Sequence, residues 1–278
     1  MPAQGPNIPF LSDADADRLI DGSETINEQE NWNRDYAENN YSNVLSVTAC
    51  EKTLNRILKQ LRISIERDEP MNRVCILGSG GPETALQRFL VVRFPMIDEI
   101  VCTDFSEAAL ALARGSFSHP KIVYVNQDMT TLAGIKEGEF DAVIVINSIL
   151  SSNDILNRKA LKSLYRVLRP AGLFLGLFPD ILSTIELQNM SPDLGKKLHG
   201  LVNPYKNTLF ENSQHSSQIF YSIQRLMLIL REAGFTVNLD EIPRIPLDTS
   251  HFQQEYRDLY GFHDETLCIW ENLVEIRK

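Results

Sequence analysis

Two glycines, Gly78 and Gly80, follow the apolar run Val74-Cys75-Ile76-Leu77, and one carboxylate, Asp104, ends the next apolar run. Glycines at the end of a strand let the chain turn sharply and bring its amides close to a ligand, because no Cβ stands in the way. A carboxylate at the tip of the neighbouring strand can accept hydrogen bonds from both hydroxyls of a ribose. Together they are the chemistry of nucleoside binding. The pyrophosphate fingerprint G-x-G-x-x-G would need a third glycine at position 83, where the chain has Glu83, whose charge repels a phosphate. NAD is disfavoured on that ground, and a nucleoside without phosphates fits better.

Residues 71 to 178 alternate apolar strands with helical stretches, which implies parallel strands joined by right-handed crossovers. After the two opening strands come Ile122-Val123-Tyr124-Val125-Asn126 with Asp128 and Met129 beyond it, then Phe140 to Ile146 followed by Asn147 and Ser148. A helix over Leu161 to Leu168 and a turn at Pro170-Ala171-Gly172 lead into a further strand. Residues 1 to 30 hold Pro2, Pro6 and Pro9 among many polar residues and predict a flexible tail. Residues 31 to 70 predict a helical cap, with Leu54, Ile57, Leu58 and Leu61 on one face. From about 180 to 220 the alternation breaks at Pro192, Gly195, Gly200 and Pro204, which predicts an insertion over the carboxyl ends of the strands. Leu230-Arg231-Glu232-Ala233-Gly234-Phe235 ends a helix, and strands are expected at 235 to 240 and 266 to 277.

The order of these segments resembles the class I S-adenosylmethionine-dependent methyltransferases over residues 71 to 278. The resemblance implies a doubly wound α/β fold: a seven-stranded, mostly parallel sheet with an antiparallel C-terminal hairpin. It implies S-adenosylmethionine as cofactor, bound by Gly78, Gly80, Asp104 and Asp128, with Leu77, Ser79, Phe105, Met129 and Asn147 around it. Asp128 and Met129 would then stand near the adenine. Two residues depart from the pattern: Ile76 replaces an acid common in relatives, and Pro82 replaces a third glycine and removes a backbone donor. These departures keep open a binding or scaffold protein that has the fold without turnover.

Each site residue also has a purely structural role open to it. Asp104 could cap a helix, although Ser106 competes for that position, and Asp128 could simply start a turn. Asn147 could hold the turn after its strand. Trp32, Tyr36 and Tyr41 could line a pocket, or pack the cap onto the sheet.

The acceptor side is less legible. His199, His215, His251 and His263 are candidate bases for an oxygen or carbon acceptor, although each alone reads better as a surface or structural histidine. Asn147-Ser148-Ile149-Leu150 lacks the Asn-Pro-Pro-Tyr-like tetrad of enzymes that methylate exocyclic or amide nitrogens. Asp141, Asp154 and Asp180 have no metal-ligand spacing, so no metal is expected. The net charge of -10 disfavours a nucleic-acid acceptor, and Gly195-Lys196-Lys197-Leu198-His199 is only a short basic cluster.

A small-molecule acceptor is therefore expected, with specialised metabolism as one setting for it. Methylation of a protein or tRNA is the alternative within the same chemistry. The four cysteines are far apart and read as core residues rather than a disulfide framework or zinc site. With no long apolar run and no leader-like N-terminus, the expectation is a cytoplasmic protein without a membrane span.

Overall fold

The computed structural model describes residues 28–37, parts of 55–67, 71–190 except 83, 202–203, 208–211, 216–247 and 269–278. Among these, strands β1 (Arg73–Leu77), β2 (Glu99–Asp104), β3 (Ile122–Asn126), β4 (Phe140–Ile146) and β5 (Leu168–Pro179) run parallel. Later in the chain come β6 (Val202–Asn203), β7 (Thr208–Glu211), β8 (Ser216–Ile219), β9 (Arg244–Leu247) and β10 (Ile269–Arg277). The main sheet has seven strands in the order β3-β2-β1-β4-β5-β10-β9, and β10 is antiparallel to both its neighbours. This is the sheet expected from the sequence. Its central strands are buried on both faces, as their unbroken apolar runs require of a covered parallel sheet.

Helix α1 (Glu28–Ala37) precedes the sheet, and α2 (Ala85–Arg93), α3 (Glu107–Ser116) and α4 (Asp154–Val167) connect its parallel strands. Helices α5 (Ile181–Met190) and α6 (Ile223–Ala233) follow β5 and β8. Leu161, Leu164, Leu226 and Leu230 of α4 and α6 pack on Val143, Val145, Phe174 and Phe178. On the opposite face Leu86 and Leu90 of α2 join Leu58 and Leu61 of the cap region against Ile144 and Leu175. Leu54 and Ile57, which share the expected face, and the tail up to residue 27 lie outside the described residues.

The helix ends are set by local chemistry. Ser106 accepts the amide of Ala109 to start α3, and Asn153 accepts that of Ile155 to start α4. Gly234, at φ 115°, ends α6 in the left-handed region where a side chain would be strained.

One expected strand is corrected. Residues 235 to 240 form no ladder; the chain instead passes through a 3-10 turn at Leu239–Glu241, and the strand begins at Arg244. Phe235 and Val237 alternate with exposed neighbours as strand residues do, but they serve as packing groups. The Phe235 ring stacks on Phe174 at 5.5 Å and meets Tyr165 edge-on at 4.9 Å. Alternation reports which side chains are buried, and only backbone pairing makes a strand.

In the expected insertion, α5 is followed by a separate antiparallel sheet of β6, β7 and β8. Tyr221 ties the chain after β8 to the main sheet, its amide donating to Pro179 O at 2.9 Å and its hydroxyl to Ile149 O at 3.1 Å.

The amino-terminal edge of the sheet is fastened by Asp141. Its carboxylate accepts the amides of Asn72 at 2.7 Å and Arg73 at 2.8 Å and pairs with Arg169 Nε at 2.6 Å. Asp141→Ala removes the acceptor of two amides and the ion-pair partner of Arg169, so unfolding in urea should show a loss of about 3 kcal/mol with little change in slope. A loss below about 1 kcal/mol would mean that water replaces the carboxylate at no cost.

Candidate functional site

The carboxyl ends of β1, β2, β3, β4 and β5 lie along one edge of the sheet, and the predicted nucleoside-binding residues are arranged there. Gly78 leaves β1 at φ +66°, and a Cβ on it would sit 2.3 Å from Ser148 Cβ and 3.6 Å from Met129 Cε. Residues 78, 129 and 148 thus converge from the ends of β1, β3 and β4. Ser148 Oγ also donates to Leu77 O at 2.8 Å.

Asp104 ends β2 and turns its carboxylate onto the glycine loop. Oδ2 accepts the amide of Gly80 and Oδ1 that of Ser106, each at 2.9 Å. A Cβ on Gly80 would sit 2.7 Å from Oδ2, so this approach needs glycine. Ser106 takes the helix cap, which releases Asp104 from that role. Asp104 is 6% exposed, and burial pushes its pKa up to about 6 against the pull of the backbone donors. Each carboxylate oxygen has a second lone pair for a further donor.

The expected use of the loop amides is corrected. Ser79 N donates to Thr103 O, Gly80 N to Asp104 and Gly81 N to Ala109 O. These three amides bind protein, and the loop offers none of them to a pyrophosphate. The glycines serve close approach and positive φ, which at Gly81 reaches 104°. The loop is also held by Gln87 Nε2, which donates to Ser79 O at 3.3 Å. The sequence gives little signal for Gln87, which stands beside Arg88 near the start of α2.

Helix α1 closes over this corner. Tyr36 is buried and its hydroxyl donates to Gly80 O at 3.4 Å, while Ser106 Oγ donates to Asn33 Oδ1 at 2.6 Å. Trp32 lies 5.9 Å from Tyr36, ring to ring. Tyr41 lies outside the described residues.

The other site residues occupy more varied places. Asp128 is exposed past β3 and accepts the amide of Thr130 at 2.8 Å, so it starts a turn there. Phe105 is half-buried beside Asp104, and its carbonyl accepts from Asn126 Nδ2 at 3.0 Å. Asn147 follows β4 at φ 45°, a left-handed conformation that asparagine tolerates. Its Nδ2 donates across β5 to Glu271 Oε1 at 2.8 Å. The sequence does not single out Glu271, because one of two acids in a C-terminal strand that also holds Asn272 and Arg277 reads as an exposed position.

Asp141, Asp154 and Asp180 stand in three separate arginine pairs, with Arg169, with Arg158 and Arg225, and with Arg244. His199, His215, His251, His263 and the basic cluster at 195 to 199 lie outside the described residues. No described helix is long and apolar enough to cross a membrane.

Comparison with known proteins agrees with this arrangement. A family model described as a methyltransferase domain matches residues 77–172. A demethylmenaquinone methyltransferase from Leptospira interrogans is 29% identical over 153 residues, covering 50% of this chain and 58% of that protein. The chain therefore spans little more than half the length of that relative. An S-adenosylmethionine-dependent methyltransferase from Mesorhizobium loti superposes with a TM-score of 0.57 at 15% identity, over 84% of this chain and 100% of that one. A second, from Methanosarcina mazei, gives 0.55 at 12% identity, over 77% and 96%. At these identities the structural likeness is one of fold.

Proposed function

We propose that this chain, which has the fold of the class I S-adenosylmethionine-dependent methyltransferases and carries a methyltransferase domain over residues 77–172, methylates a small-molecule acceptor. The observation that carries the cofactor assignment is the Asp104 carboxylate, buried against Gly80 beside a loop whose amides at 79, 80 and 81 are already used by protein. Such a corner accepts ribose hydroxyls and makes no provision for phosphate. No Cβ could be added at Gly78 or Gly80 without displacing Ser148, Ala109 or the Asp104 carboxylate, so both glycines are needed to hold the loop around that carboxylate.

In this reading Asp104 holds the ribose, Leu77, Gly78, Ser79 and Gly80 line the methionine side, and Phe105, Asp128 and Met129 border the adenine. Asn147 faces the cofactor crevice from the end of β4. S-adenosylmethionine supplies an electrophilic methyl group on a sulfonium, which a nucleophile displaces in line. The protein's part is to hold the acceptor at reacting distance and exclude water. Trp32 and Tyr36 of α1 contribute the second of these by covering the loop. The acceptor sits between the cap and the insertion at about 180–220, with specialised metabolism as one setting.

A small molecule is favoured over a nucleic acid by the net charge of -10, and the Leptospira relatives named for a quinone substrate support the same class. The test is transfer of a labelled methyl group from S-adenosylmethionine into fractionated small molecules, tRNA and protein. Label in the small-molecule fraction is expected. Label confined to tRNA, with activity falling steeply in salt, would replace the proposal by tRNA methylation, and label confined to protein by protein methylation.

A further inference from the structure

Glu271 is 2% exposed, with no basic side chain among the described residues bonded to it, at the sheet edge where the proposed site lies. It faces Pro179 at the end of β5, and its Oε1 accepts from Asn147, the neighbour of Ser148 that touches the glycine loop. Its Oε2 and Asn147 Oδ1 are both buried without a hydrogen-bond partner among the described residues. Such atoms are rare in native folds and cost the full desolvation of the group unless a ligand satisfies them.

None of the charged groups described on the elements packed against β10 is bonded to Glu271. Arg244 of β9 pairs with Asp180 at the end of β5 at 2.5 Å and reaches Glu186 of α5 at 3.4 Å. Glu241 of the 3-10 turn accepts the amide of Asn238, Asp240 lies on the same turn, and Arg169 at the far end of β5 pairs with Asp141. On β10 itself, Glu275 and Arg277 lie further along the strand towards its carboxyl end. Burial accordingly pushes the Glu271 pKa up to about 8, opposed only by the Asn147 hydrogen bond.

Resting on the cofactor reading above, we infer that Glu271, held by Asn147, is the proton acceptor of the methyl-transfer site, ionised by the bound sulfonium and protonated as that charge disappears. The step balances. The acceptor's X–H bond breaks and its proton passes to Glu271 Oε2, the X–CH3 bond forms, and the S–CH3 electron pair stays on sulfur. A cation and a carboxylate become a thioether and a carboxylic acid, so the buried site carries no net charge before or after. This is what a carboxyl with no basic partner of its own can do at least electrostatic cost.

The test needs no acceptor. The full chain is titrated at about pH 7 with S-adenosylmethionine and, separately, with S-adenosylhomocysteine, in buffers of different ionisation enthalpy, to count protons released on binding. Both ligands present the same ribose to Asp104 and the same amino-acid end, so those contributions cancel in the difference. S-adenosylmethionine should release close to one proton more than S-adenosylhomocysteine, and Glu271→Gln should bind both ligands and abolish that difference. In the unmodified chain the infrared band of a protonated carboxyl should vanish with the first ligand and persist with the second, which keeps the test independent of how the variant folds. Equal proton release, or a difference surviving in Glu271→Gln, overturns the inference and leaves the cofactor reading intact. Failure to bind either ligand overturns both.

Discussion

Asp104→Ala weakens binding of S-adenosylhomocysteine by tenfold or more in titration calorimetry. Hydrogen bonds to a charged group contribute about 1.5–3 kcal/mol, and about 1.4 kcal/mol is a factor of ten in affinity. The same change strands the amides of Gly80 and Ser106, so thermal stability falls with it. Asp104→Asn keeps an acceptor oxygen for one of the two amides, so it should lose less stability than Asp104→Ala while affinity is still reduced. Affinity unchanged in a folded Asp104→Ala protein would sink the ribose assignment.

The pH dependence of Asp104 has a definite sign. Its folded pKa of about 6 lies above the value of about 3.9 for an unfolded chain. Its contribution to stability is fully present below the unfolded value and is lost as pH rises through the folded one. Ligand affinity runs the other way, falling as pH drops below about 6 and the carboxylate that receives the ribose hydroxyls is protonated. Opposite slopes for stability and affinity over that window would be difficult to obtain from a surface acid.

The second large effect is expected at Gly80. The Cβ of Gly80→Ala would lie 2.3 Å from Ala109 Cβ and 2.7 Å from Asp104 Oδ2, so α3 or the carboxylate has to move. Overpacking of this kind costs about 1–3 kcal/mol. Because the displaced group is the proposed ribose acceptor, binding should fall tenfold or more alongside a lowered Tm. Gly115→Ala on α3 is the matched comparison, since nothing lies within 4 Å of its added Cβ. That variant should bind as the unmodified chain does and be slightly more stable, by up to about 1 kcal/mol. Equal behaviour of the two variants would show that the approach of Gly80 to Asp104 has no role in binding.

The sheet was legible because its central strands are covered on both faces, so their sequences are unbroken apolar runs ended by glycine or acid. Val74 to Gly80 and Ile100 to Asp104 carry that signature, and Ala142 to Ile146 carries the apolar run, ended there by Asn147. It fails at the edge, where a packed segment such as Phe235 to Val237 alternates as a strand does. The glycine loop was legible in its residues but not in its hydrogen bonds, because glycine marks where the backbone must pass closely without saying which acceptor its amide finds. Glu271 was illegible for a third reason. Its partner Asn147 is 124 positions away, and only the antiparallel placement of β10 beside β5 brings them together.

The most direct measurement is titration calorimetry of the purified chain with S-adenosylmethionine and S-adenosylhomocysteine, with NAD run alongside. Saturable binding of the first two and none of NAD is the expected result, and it would make the acceptor the next question. Binding of NAD alone would contradict the phosphate-free reading of the glycine loop, and no binding of any of the three would leave a methyltransferase fold that acts as a scaffold.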